Sequence, residues 1–253
     1  MALFAGVKAA MHAPQAAMAP PPPPPAWHTR MSQHTEPAEM SHCCYAFCCP
    51  QCTSAAAKSK ADKTHPCYNF LCWTPIGAYS YVRLGYHIPG VCGDDICYGM
   101  WCMPCSIRQM YTETLIRGPN NQPPTQGANV NEWKHSLFDC TPCELCNAAL
   151  CPCCLVNDIR KQLQPEAGES CWFDAMCILP TAMYGQVRHS YGIVTDFPVC
   201  EDVLVPLFCF PCALNQAKKM TMWVKSNGLP TGAQPLAGAA MGGGGPQYPQ
   251  YRR

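Results

Sequence analysis

Apolar positions recur at helical spacing in several stretches of this chain. Ile107, Met110, Tyr111 and Leu115 predict a helix over 106–117, directly after a Cys-x-Pro-Cys turn. Leu155, Val156, Ile159 and Leu163 fall at i, i+1, i+4 and i+8, an amphipathic helix with Asp158, Arg160 and Lys161 on its wet side. Leu214, Ala217, Met220 and Val224 predict a closing helix that carries Lys218, Lys219 and Lys225. Thr53 to Lys60 is an Ala/Lys stretch of good helix propensity. Cys67 to Tyr81 and Cys171 to Gln186 are aromatic and apolar, broken by Pro75 and Gly77 in one and by Pro180 and Gly185 in the other. The pattern predicts a mainly α fold.

The predicted elements come in two sets because the sequence repeats. Cys102-Met-Pro-Cys105-Ser-Ile-Arg-Gln109 and Cys209-Phe-Pro-Cys212-Ala-Leu-Asn-Gln216 share Cys-x-Pro-Cys-x-x-x-Gln, and Asp95 and Asp202 each stand seven residues before them. Arg83-x-x-Tyr86-x-Ile88 answers Arg188-x-x-Tyr191-x-Ile193, and Cys44-x-x-x-x-Cys49-Pro-x-Cys52 answers Cys146-x-x-x-x-Cys151-Pro-x-Cys154. The blocks keep their order, and their offset drifts only from 102 to 107 residues. We expect two small cysteine-rich helical modules in tandem, over 41–117 and 132–225, each of about 75 to 90 residues. A linker of turn formers fills 118–131. Residues 1–40 form an Ala/Pro-rich tail with the proline run Pro20 to Pro25, and 226–253 form a Gly/Pro/Tyr-rich tail; both are expected to be disordered.

Charge narrows the partners. A net charge of +1, with no Lys/Arg run longer than a pair, lacks the basic footprint that phosphate contacts need, and nucleic acid is excluded as a partner. The proline run suits SH3, WW or profilin-type partners, or a solvated spacer. Lys8 interrupts the apolar start before a signal-peptide core is complete, so no secretory route is expected. No uninterrupted apolar run reaches the roughly 18 residues of a spanning helix, which leaves an interfacial helix or acyl anchoring open.

The 22 cysteines carry the candidate chemistry. Without a signal peptide most thiols are expected to meet a reducing compartment, as metal ligands, acylated anchors or buried apolar groups. Two residues between thiolates let both sulfurs reach one tetrahedral ion. Cys49/Cys52 with Cys102/Cys105, and Cys151/Cys154 with Cys209/Cys212, could each close a four-thiolate structural zinc site. Asp95, Asp202, Gln109 and Gln216 could line an ion path, against a plainer reading of local hydrogen bonding. Arg83 and Arg188 are expected to pair with a carboxylate or a helix C-terminus. Cys43, Cys44, Cys48 and Cys153 are candidate acylation sites. No strand-turn-helix redox setting, repeated histidine, phosphate loop or carboxylate pair is present, so no enzyme activity is expected.

These blocks resemble the cysteine-rich family that includes placenta-specific protein eight, cornifelin, the plant cadmium-resistance proteins and the cell-number regulators. The second module matches from Trp133 and Leu137-Phe138-Asp139-Cys140 through Cys151-Pro-x-Cys154 to Cys209-x-Pro-Cys212-x-x-x-Gln216. The first keeps the later blocks, including Glu113 four residues after Gln109, but lacks the opening Trp and Phe-Asp-Cys; at an offset of 102, Met31 and Ala38 stand there. The resemblance implies membrane association, often at the plasma membrane, with cysteines acylated or in contact with metal. It also implies handling of divalent ions such as zinc, cadmium or calcium. The expectation is a membrane-associated tandem protein that binds or helps transport divalent metal ions, possible as a homo-oligomer. The alternative is a non-enzymatic adaptor at the membrane face.

Overall fold

The computed structural model describes residues 27, 45–86, 88–117, 130–164 and 171–229. Pro20 to Pro25, Cys43, Cys44, both tails and most of the linker lie outside these residues. A helical turn at 45–48 leads into five helices: α1 (Pro50–Asp62), α2 (Pro66–Cys72), α3 (Pro75–Gly85), α4 (Cys92–Trp101) and α5 (Met103–Arg117). Six more follow: α6 (Pro142–Leu150), α7 (Pro152–Leu163), α8 (Cys171–Cys177), α9 (Pro180–Ser190), α10 (Pro198–Phe208) and α11 (Phe210–Ser226). The fold is mainly helical, with no strand among the described residues.

Proline sets most of the boundaries. Pro50, Pro66, Pro75, Pro142, Pro152, Pro180 and Pro198 each open a helix, where the fixed φ suits the first turn and the missing N–H would have had no partner. The breaks in the two aromatic stretches are therefore helix starts, at Pro75 for α3 and Pro180 for α9, while Gly77 and Gly185 lie inside those helices. The helix expected over 106–117 begins slightly earlier, at Met103.

Helices α1 and α5 lie side by side, with Lys60 Nζ donating to Tyr111 Oη at 2.8 Å. Helices α7 and α11 do the same, with Asp158 against Lys218 at 2.9 Å and Gln162 beside Met222 and Lys225. The contacts advance together along α7 and α11, so the second half brings its two Cys-x-x-Cys turns to one end of a parallel helix pair, and the repeat gives α1 and α5 the same arrangement.

A buried ion pair closes each half and accounts for the Arg-x-x-Tyr-x-Ile block. Arg83 ends α3; its Nε and Nη2 donate to the two Asp95 oxygens at 2.8 Å each, and its Nη1 to the Ile88 carbonyl at 2.9 Å. Arg188 ends α9 and treats Asp202 and the Ile193 carbonyl in the same way, at 2.5, 2.6 and 3.1 Å. One guanidinium therefore holds a helix end, the loop after it and the next helix. A pair of aromatic stacks follows the same scheme, Trp133 on Tyr184 at 4.8 Å and Trp27 on Tyr79 at 5.2 Å between ring centroids. Trp27 thus stacks in the first half as the opening Trp133 does in the second, though it sits at an offset of 106 rather than 102.

The two halves share their larger core. Tyr68, Cys72, Trp73, Ala78 and Tyr81 pack in one buried cluster with Leu155, Ile159, Phe173, Met183, Leu214 and their neighbours. Helix α2 packs on α9 and α10, and α8 packs on α3 and α4. This exchange of equivalent contacts is the pattern of a two-fold, isologous interface. Hydrogen bonds cross it: Tyr68 Oη donates to the Ala182 carbonyl, Thr74 Oγ1 to the Cys177 carbonyl and Gln164 Nε2 to the Tyr81 carbonyl.

Candidate functional site

Four Cys-x-x-Cys turns start four of the longer helices, and they share one local conformation. The first cysteine of each pair has φ/ψ of −137°/72° (Cys49), −143°/63° (Cys102), −133°/61° (Cys151) and −145°/73° (Cys209). A proline at the first or second helical position follows in every case. The first cysteine occupies the place of an N-cap residue, and its carbonyl accepts an early helical bond, as from Thr53, Ser106 and Ala213. The second cysteine then lies one turn on, and each pair is a disulfide, with Cα separations of 5.3 to 5.7 Å.

A third sulfur joins one of these turns. Cys153 Sγ lies 3.6 Å from Cys151 Sγ, and the Cys151, Cys153 and Cys154 sulfurs all fall within 4.8 Å of one another. Cys151 and Cys153 are half-buried and Cys154 is exposed. With Cys151 and Cys154 reduced, this turn would offer three thiolates and no oxygen or nitrogen donor, a set that suits thiophilic ions. Opening the disulfide to its two thiolates first takes two electrons.

The expected four-thiolate sites are not assembled. The fold brings Cys49/Cys52 and Cys102/Cys105 to one end of a helix pair, and Cys151/Cys154 and Cys209/Cys212 to one end of another. Among the described residues, however, no group within 4.8 Å combines two pairs. Asp95 and Asp202 are each 1% exposed, with both oxygens engaged by Arg83 and Arg188. Burial pushes the Asp202 carboxyl up, but hydrogen bonds from Arg188 and His189 outweigh it and hold the group below its ordinary range. Gln109 accepts from Tyr79 Oη at 3.0 Å, and Gln216 donates to the His135 carbonyl at 2.7 Å. Of the acylation candidates, Cys48 is exposed and Cys153 half-buried.

Arg160 departs from the expected wet side of α7. It is 1% exposed and donates to Asp174 at 2.6 Å with its guanidinium over the Phe173 ring. Burial pushes Asp174 up to about 6, against the pull of Arg160, and one of its oxygens has no partner. Lys58 holds the corresponding place in α1. It is fully buried, bonded to Asp62 at 2.5 Å and Gln186 at 2.8 Å, and lies over Trp73 and Tyr81. Burial lowers the Lys58 pKa, with Asp62 opposing. The partners are non-local, so the only sequence signal for these cations was their common place in the repeat, 102 residues apart.

The fold and turns define a cysteine-rich protein, mainly helical over its described residues, whose Cys-x-x-Cys pairs stand at helix starts, one of them with a third sulfur beside it. Residues 133–220 match the PLAC8 family. Mouse placenta-specific gene 8 protein is 29% identical over 106 residues, which span 42% of this chain and 79% of that protein. The family match marks one copy, in the second half, where the sequence led us to expect two. No solved structure matches.

Proposed function

We propose that this chain is a membrane-associated protein of the PLAC8 type, with two such units in tandem, that binds thiophilic divalent ions and helps move them. The Cys151-Cys153-Cys154 cluster supports the metal reading: three sulfurs lie within 4.8 Å on a reachable turn. The tandem reading is supported by Arg83–Asp95 and Arg188–Asp202, which occupy equivalent helices with equivalent third bonds to Ile88 and Ile193. The arginine bonds to both oxygens of Asp95 and of Asp202 support a fastening role for these carboxylates over that of ion ligands.

The test is a cadmium titration of the reduced full-length chain, read by sulfur-to-metal charge-transfer absorption. Wild type is expected to take up the ion, and Cys153→Ser to weaken uptake at least tenfold while leaving the helical content unchanged. Equal uptake by wild type and a Cys151/Cys153/Cys154 triple serine variant would overturn the assignment. A second reading, that of an adaptor, is favoured by Trp27. Its stack on Tyr79 pins a residue two positions after Pro25 against the folded body, where the proline run could present itself to an SH3, WW or profilin-type partner.

A further inference from the structure

Large apolar side chains protrude where the chain enters its Cys-x-x-Cys turns. Trp101 is 90% exposed, Leu150 86% and Phe208 84%, and each is the last residue of its helix (α4, α6 and α10). Phe47, 75% exposed, stands two residues before Cys49. The turns explain the exposure: the next helix starts in a new direction, bent by 118° between α10 and α11, so the last side chain of the incoming helix is left without a neighbour. Helix α6 is the extreme case, with Ala148 its one buried residue.

The parallel pairing of α1 with α5 and of α7 with α11 puts these knuckles together. Phe47 and Trp101 meet one end of the first half, and Leu150 and Phe208 one end of the second. The chain around the knuckles is uncharged. No charged residue occurs from Ile96 to Ile107, from Leu145 to Asn157 or from Val203 to Ala217. The nearest acids are occupied, Glu144 in the capping box with Thr141, Glu201 by Tyr184 and Asp202 by Arg188. The knuckles are single side chains that stand out at bends in the chain. Among the described residues no single helix is long and apolar enough to cross a membrane, yet α10 and α11 together reach membrane hydropathy and are sharply bent.

Building on the membrane reading above, we infer that the turn ends are the docking surface, and that its partner is the neutral interfacial layer of a lipid bilayer. Phe47, Trp101, Leu150 and Phe208 enter the headgroup and acyl boundary to a depth of about 5 to 10 Å, without spanning. Trp101 suits that depth, having an apolar body and a polar N–H.

Flotation of the full-length chain with zwitterionic phosphatidylcholine vesicles tests this. Wild type is expected to float irrespective of added anionic lipid and to be released by alkaline carbonate. Leu150→Ser with Phe208→Ser is expected to lower partitioning about a hundredfold, tenfold or about 1.4 kcal/mol per side chain, and Trp101→Ser about tenfold. Met222→Ser, at an exposed apolar position toward the far end of α11, is expected to leave it unchanged. Circular dichroism of each variant confirms the fold. If the double variant floats like wild type, or Met222→Ser loses as much, docking through the turns is overturned while the membrane reading stands. Resistance to carbonate overturns the shallow mode in favour of insertion. Wild type that never floats overturns the docking surface and the membrane reading together.

Discussion

Gly77→Ala sets helix propensity against packing between the two halves, and the two effects have opposite signs. Gly77 is the third residue of α3 and has an ordinary helical backbone, so propensity alone favours alanine by about 1 kcal/mol. The added Cβ, however, would sit on the carbonyl oxygen of Cys177 at the end of α8, and 3.0 Å from Thr74 Oγ1. A backbone carbonyl cannot swing aside as a side-chain tip can. Overpacking of this kind costs about 1 to 3 kcal/mol. Thr74 accepts from Gly77 N at 3.0 Å as the cap of α3 and donates to the same Cys177 carbonyl; disturbing it costs about 1 kcal/mol more. The expected net change is a loss of about 1 to 3 kcal/mol. Gly93→Ala is the control. Gly93 lies in the first turn of α4, where an added Cβ would meet no atom within 4 Å, so alanine there should gain up to about 1 kcal/mol. Urea unfolding of the full-length chain, followed by far-ultraviolet circular dichroism at constant m-value, measures both. If Gly77→Ala proves as stable as wild type while Gly93→Ala gains, the α3–α8 contact does not exist and the shared core is wrong.

Three further substitutions follow from the buried charges. Asp95→Asn and Asp202→Asn each leave a buried arginine without its counter-charge, and each is expected to cost about 3 to 5 kcal/mol; a loss under about 1 kcal/mol in urea unfolding would contradict the burial of these pairs. Because the Asp202 pKa is held down in the fold, its contribution is present above about pH 4 and lost as pH falls below that. Asp174 behaves in the opposite sense. Its folded pKa of about 6 lies above the ordinary 3.8, so the fold favours the neutral acid and loses stability as pH rises from about 4 to about 6. Asp174→Asn should therefore gain about 2 kcal/mol relative to wild type between about pH 4.5 and pH 7; a difference that is flat with pH refutes it.

Legibility in the sequence followed how much of each residue's environment is local. Helices α5, α7 and α11 were readable because each buries one face and exposes another, which writes a 3.6-residue period. The α4, α6 and α10 helices were not, because their apolar residues point outward as well as inward and leave no period. Arg160 was placed on the wet side of α7 since nothing near it in sequence shows the Asp174 that receives it. Trp27 was overlooked by holding the repeat at an offset of 102, whereas its stack on Tyr79 puts it at 106. The Arg and Asp positions were legible as partners in kind, for their spacing recurs, though not the third bond to the Ile carbonyl. For the cysteines, spacing showed which sulfurs can meet within one turn, and could not show that turns at the same end of a helix pair stay beyond ligand reach of each other.

The segment that matches the PLAC8 family does not complete its own core in this chain. Ala182, Val187, Phe173 and Cys177 are sealed by Tyr68, Cys72, Trp73 and Tyr81 from the half that has no family match. Tyr68 is the pivot. Its hydroxyl donates to the Ala182 carbonyl, and its ring stands where a Gly185 Cβ would be, 2.5 Å from Cε2. The Asp202 carboxyl carbon stands 2.9 Å from that same point. One close approach at Gly185 therefore joins the contact between halves to the Arg188–Asp202 pair, and that pair fixes the loop to Ile193 and the start of α10. Since α10 ends in Phe208 and the Cys209 turn, the first half bears on the geometry of the second half's apolar tip through packed and hydrogen-bonded groups.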